Sequence, residues 1–141
     1  MTLMAIADTP HSIGLGTAIG IFFGFTPLYS LKTLLSLGTA WVLRCNKIAA
    51  VIAVTLHDVG ILAMPAIYVA EYKLGCWTLG RAASNRVQFA GVLDYFSWQL
   101  FSRFVWPACI GSLFLALPTA AAVYFLMRLL ISRARAPEKA E

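Results

Sequence analysis

The chain has 141 residues, of which 60% are hydrophobic and only 12% charged, with a mean hydropathy of +0.79. A soluble domain is nearer a quarter charged, and one of this size has too little interior to hide so much apolar surface, so the composition argues against a water-soluble globule. The net charge of +5 comes without the aromatic–basic stripe of a nucleic-acid surface, and reads instead as contact with anionic lipid headgroups.

Residues 1–11 carry no lysine or arginine, and the apolar run that follows is far longer than a signal-peptide core. An uncleaved membrane segment is expected. Residues 12–43 form a stretch of 32 residues, about 48 Å as one helix against a hydrocarbon core of about 30 Å. Pro27 divides it, because proline pushes Thr26 out of helical geometry and removes a backbone donor. Two helical arms are predicted, residues 12–25 and 28–43, and the first is too short to span a bilayer alone. A re-entrant hairpin follows from that. In the first arm Gly16, Gly20 and Gly24 recur every four residues, which puts three positions without side chains on one face and lets another helix approach backbone to backbone.

Arg44-Cys45-Asn46-Lys47 reads as a tight polar turn at a membrane surface. Residues 48–70 repeat the design of an apolar arm, a polar break and a second arm. His57, Asp58 and Gly60 lie near the centre, and Pro65 is expected to kink the second half. An inverted repeat of the first hairpin is one reading of this likeness. Residues 71–103 are the most polar part of the chain, with Glu71-Tyr72-Lys73 and Cys76-Trp77 expected at headgroup level. Phe89, Val92, Leu93, Phe96, Leu100 and Phe104 then recur at three- and four-residue steps opposite Asp94, Ser97 and Gln99. That spacing predicts an amphipathic helix, lying in the interface or packed on the bundle. Residues 104–127 are 24 residues without a charge, the clearest transmembrane helix, with Pro107 in its first turn and Pro118 expected to bend it.

The fold class expected is therefore all-α. It comprises an integral membrane domain over residues 1–132 with two broken, re-entrant helical hairpins, an amphipathic interfacial helix and one C-terminal transmembrane helix. A basic, flexible tail over residues 133–141 completes the chain. Basic residues divide six against four across the membrane and leave orientation open, although their density after the last helix favours a cytoplasmic C-terminus.

Residues 14–80 resemble a bacterial membrane family known as the domain of unknown function 2062. The resemblance is carried by Gly24-Phe25-Thr26-Pro27, Leu31-Lys32-Thr33-Leu34-Leu35, Arg44-Cys45-Asn46, Met64-Pro65-Ala66-Ile67-Tyr68 and Tyr72-Lys73-Leu74-Gly75, in that order. Lys32 stands where the family usually has glutamine, and His57-Asp58-Val59 where it usually has an Asn-Pro step. The resemblance implies a helical membrane fold and a location in the bacterial inner membrane, but no substrate.

Lys32 and Asp58 sit near the middles of apolar stretches, where a charge costs about 2.5–3.5 kcal/mol on insertion scales. Facing hairpins would let them pair, with His57, Thr26 and Ser30 as hydrogen-bonding neighbours, and broken helices would aim N–H and C=O groups at the same place. Such a site suits an anionic lipid or solute, or a coupled proton. The competing reading has Lys32 snorkelling to the surface and His57-Asp58 capping a helix. No nucleophile elbow, phosphate loop, HExxH or paired-carboxylate pattern is present, which argues against an enzyme. Cys45, Cys76 and Cys109 are odd in number and widely spaced, so no metal, disulfide framework or cofactor is expected. Three readings of function stay in view: a small carrier or flippase, a non-catalytic subunit or scaffold that docks a partner membrane protein, or a second copy, through its glycine face, and an enzyme acting on lipid, against which the missing motifs argue.

Overall fold

The computed structural model describes residues 8–28, 31–59, 64–83, 98 and 101–135, and every described element is helical. Helix α1 spans Pro10–Gly24. Thr9 caps it by accepting the Ser12 N–H, and Pro10 occupies the first turn, where no amide donor is needed. The break falls at Thr26-Pro27, as proline requires, and α2 begins at Lys32 and ends at Val42.

The end of α2 is closed by two bonds, Arg44 N–H to the Trp41 carbonyl and Cys45 N–H to the Ala40 carbonyl. This Schellman motif needs a left-handed residue, and Arg44 supplies it with φ of 51°. Asn46 then caps α3 (Lys47–Val59), its Oδ1 accepting the Ala49 N–H at 2.7 Å. Helix α4 covers Met64–Thr78 and ends in the same motif, with Gly80 at φ 63° in the left-handed position. A π-helical turn, Phe101–Val105, leads into the long helix α5, Trp106–Ala134, which continues through Pro118.

Helix directions follow from close approaches. A side chain at Gly16 would strike Asn46 and Ala49, at Gly20 it would strike Ala50 and Ala53, and at Gly24 His57, so α1 and α3 run in parallel. Gly14 faces Tyr124 and Arg128, and the Arg135 guanidinium donates to the Asp8 carbonyl, so α5 is antiparallel to α1. Gly75 meets the Pro107 carbonyl and Gly111 the Glu71 carbonyl, so α5 is antiparallel to α4 as well. Thus α1 packs along the C-terminal half of α5 and α4 along its N-terminal half.

Helices α1 and α2 form a hairpin whose two ends meet at one end of the molecule. There Asp8 accepts from Ser12 Oγ at 2.9 Å and Asn46 Nδ2 at 3.1 Å, while the Asn46 N–H bonds the Ser12 carbonyl at 3.2 Å. Helices α3 and α4 share a sense and do not fold back on each other; α4 packs on α5 instead.

The interior is mainly small and apolar, but many large apolar side chains also face outward and several polar ones are buried. Leu34, Trp41, Leu56, Trp77, Phe114, Leu117 and Phe125 are all exposed, while Lys32, Ser36, Asn46, Glu71 and Ser112 are buried. The apolar span Phe101–Ala134 has only 17% of its most apolar stretch buried in the chain, unlike the core helix of a soluble domain. By length and composition it is a candidate membrane span, which suggests an association with a membrane.

Several expectations need adjustment. Pro65 is the second residue of α4 as described, directly after residues 60–63, which lie outside the described residues. Asp58 lies in the last turn of α3 rather than in a non-helical break. Glu71 is wholly buried within the protein, which the polar residues beside it in sequence do not announce. Helix α5 carries Arg133 and Ala134, so order extends past residue 133. Gly60, Ser30, residues 84–97 of the expected amphipathic segment and residues 136–141 lie outside the described residues.

Candidate functional site

The tip of the hairpin and the end of α3 come together around three polar side chains. Lys32 opens α2 because the turn after Pro27 releases the chain there, and it is only 2% exposed. Its Nζ donates to Asp58 Oδ1 from the last turn of α3. The Asp58 side chain is 39% exposed, so the pair opens on the carboxylate side and is closed on the ammonium side. His57, one residue back, has its Nδ1 4.0 Å from Asp58 Oδ1, beyond hydrogen-bonding range. Nδ1 is buried and has no hydrogen-bond partner among the described residues.

Helix polarity explains how these charges are tolerated. Lys32 at the start of α2 and Asp58 at the end of α3 each oppose the dipole of their own helix. Because α2 is antiparallel to α3, Asp58 lies beside the N-terminus of α2, and Lys32 lies beside the C-termini of α1 and α3. Each charge is therefore complemented by neighbouring helix ends as well as by its partner. Gly24 makes the close packing possible: a Cβ there would lie 2.6 Å from His57 Cγ. Phe25 covers the imidazole edge-on, ring centroids 4.6 Å apart.

The remaining residues are distributed around this centre. Thr26 lies in the turn beside it, its N–H bonded to the Phe23 carbonyl at 3.0 Å. Ser36, one turn along α2 from Lys32, donates to the Ala50 carbonyl at 3.4 Å and ties α2 to α3 below the pair. Pro27 terminates the first arm, whereas Pro65 lies at the start of α4. Gly16 and Gly20 pack against α3 and hold the hairpin in place without lining the site.

Two polar positions escape a reading based on sequence. Asp8 joins Ser12, Asn46 and Arg135 into a clasp at the opposite end of the hairpin. Glu71 is buried in the seam between α4 and α5, and neither carboxyl oxygen has a hydrogen-bond partner among the described residues. The only sequence signal for Glu71 is the pair of glycines, Gly75 and Gly111, that bring the two backbones together around it. No group of three or more His, Cys, Asp and Glu positioned to hold a metal ion occurs among the described residues.

Comparison with curated proteins and with solved structures returned no match. Residues 2–139 match a family described as "Uncharacterized protein conserved in bacteria (DUF2062)", so the likeness extends from the hairpins to the last helix and tail. With nearly its whole length matched, the chain belongs to this bacterial family.

Proposed function

We propose that this protein is a small multi-pass carrier of the bacterial inner membrane, moving an anionic lipid or solute past the Lys32–Asp58 pair. In this reading α1 and α2 enter the bilayer and return to the same face, α3 and α4 cross it as one broken span, and α5 crosses back. Support comes from the clasp of Asp8, Asn46 and Arg135, which ties both ends of the hairpin to the C-terminal end of α5. Arg81, whose guanidinium donates to the Ser102 carbonyl, marks the other end. Arg44, Lys47, Arg128, Arg133 and Arg135 then share one face, which the positive-inside rule assigns to the cytoplasm.

The observation that carries the proposal is a lysine 2% exposed inside an apolar-coated molecule, paired with a half-open aspartate at a helix break. A buried ion pair is a poor device for stability, since apolar side chains of the same volume do as well or better. Its use here is chemical. Asp58 holds the position an incoming phosphate or carboxylate would take beside the Lys32 ammonium, and exchange of one anion for the other needs no bare buried charge. The exposed apolar faces of α2 and α5 make membrane lipids the first partners. The scaffold reading lacks its docking surface, because the glycine face of α1 is filled by α3.

The test is reconstitution into vesicles carrying fluorescent phosphatidylglycerol, or a trapped organic anion. Accelerated movement of either substrate that is lost in Lys32→Met, in a variant that still folds, supports a carrier. Equal rates in vesicles with and without the protein, for both substrates, would overturn it.

A further inference from the structure

We propose that Glu71 is a proton-binding site: a neutral carboxylic acid sealed between α4 and α5, whose ionisation loosens that seam. The side chain is 0% exposed, and both carboxyl oxygens lack a hydrogen-bond partner among the described residues. The two backbones nearly touch on either side of it, Gly111 against the Glu71 carbonyl and Gly75 against the Pro107 carbonyl. Ala108, Gly111 and Ser112 of α5 are buried along the same seam.

Among the described residues nothing hydrogen-bonds the carboxyl to offset the desolvation of an ionised form, and a group so placed favours the protonated acid. Among the described residues, the titratable and charged groups nearest it along these elements are Tyr68, Tyr72, Lys73 and Cys76 on α4, Cys109 on α5 and Arg103 in the preceding turn, while Tyr124, Arg128 and Arg133 lie further along α5. None of them hydrogen-bonds the Glu71 carboxyl. Gly111 lies eight residues beyond Arg103, about 12 Å along the helix axis, so the acid sits inside the uncharged part of α5 rather than at its rim. Binding is the simple addition of a proton to one carboxylate oxygen. Release requires either that the seam open to water or that a cation enter it. A carboxylic acid poised in this way supplies a proton site separate from the Lys32–Asp58 pair, and it stands whether or not that pair carries an anion.

The test uses the purified full-length protein in detergent and in vesicles. Dicyclohexylcarbodiimide, an apolar reagent that needs the protonated acid, should modify Glu71 at neutral pH, read by peptide mass spectrometry. The carboxyl proton moves to a carbodiimide nitrogen while the carboxyl oxygen bonds the central carbon, and rearrangement leaves a stable acylurea. Labelling should fall roughly tenfold for each pH unit above the point at which the acid ionises. Asp8, hydrogen-bonded at the polar end, should stay unlabelled. The infrared carbonyl band of a protonated carboxylic acid should be present at neutral pH and vanish in Glu71→Gln. The infrared band decides: a spectrum of folded wild-type protein without it at neutral pH, or labelling that does not fall as pH rises, would overturn the proposal. These readouts involve no transport, so a failed carrier assay and a failed proton site are separate results.

Discussion

Lys32 and Asp58, 26 positions apart in the chain, join across the tip of the α1–α2 hairpin and the end of α3. Each occupies the helix terminus its own dipole disfavours, and each is rescued by the antiparallel neighbour. The geometry makes the two residues one unit. Asp58→Asn should lower stability in detergent by about 3 kcal/mol, because the buried Lys32 is left without its counter-charge, while Lys32→Met should cost less, about 1 kcal/mol, because the half-exposed Asp58 can be solvated. The Lys32→Met/Asp58→Asn double variant should recover part of the summed loss, with a coupling of about 1–3 kcal/mol. Thermal unfolding of the four proteins measures it, and strictly additive losses would mean the two side chains act separately.

The glycine face offers a sharper contrast. A Cβ at Gly20 would lie 2.6 Å from Ala53 Cβ and 2.9 Å from the Val54 nitrogen, whereas at Gly38 it would meet nothing within 4 Å. Gly20→Ala should therefore destabilise by about 1–3 kcal/mol through overpacking. Gly38→Ala, in the middle of α2, should be stabilising by about 0.5–1 kcal/mol because a helix interior prefers alanine. Midpoint temperatures of the two variants should move in opposite directions.

Arg44 and Gly80 hold the same left-handed position in the same motif, at φ 51° and 63°. Only glycine adopts it without steric penalty. Arg44→Gly should raise stability in detergent by about 0.5–1 kcal/mol, measured by thermal unfolding. A loss of stability would show that the guanidinium makes a contact stronger than the strain it replaces.

Acid should open the clasp at the polar end. Burial alone would raise the Asp8 pKa, but hydrogen bonds from Ser12, Asn46 and the Thr9 amide, with the Arg135 charge, outweigh it and bring the group below its ordinary value of 3.8. A carboxyl depressed in the fold adds stability that is complete above the unfolded-state pKa and is lost as pH falls through the native one. Wild-type stability should thus decline on acidification below the usual carboxylate range, and Asp8→Asn should flatten that part of the profile. Identical acid limbs in the two proteins would place the loss elsewhere.

Much of this organisation is legible in the residues because it rests on local rules. Pro27 removes a backbone donor and disfavours helical geometry at Thr26, so a break between Gly24 and Lys32 is expected from covalent geometry, although Pro118 shows that a long helix can absorb a proline. The spacing of Gly16, Gly20 and Gly24 marks one face, although nothing in that spacing names α3 as the helix that fills it. The position of Pro65 was harder to interpret, since a proline that kinks one helix and a proline that begins another have the same local signature. Tyr72, Lys73 and Trp77 surround Glu71 in sequence and give the segment an interfacial character that carries no sign of its burial. Its burial depends on Gly75 meeting Pro107 and on Gly111 meeting Glu71 itself, contacts between segments more than 30 residues apart that no local pattern encodes. The shared sense of α3 and α4 is likewise a long-range property, fixed by which half of α5 each neighbourhood occupies.

The claim on which the account turns is that the Lys32–Asp58 pair lies within the hydrocarbon. A nitroxide at Leu31, which is 52% exposed and adjoins Lys32, reports this directly through its collision rates with oxygen and with a water-soluble nickel chelate in vesicles. Oxygen should dominate at Leu31, while a nitroxide at Arg44, in the polar turn, should favour the chelate. Equal, shallow depths at the two positions would mean that the hairpin tip rests at the surface, contradicting an intramembrane site.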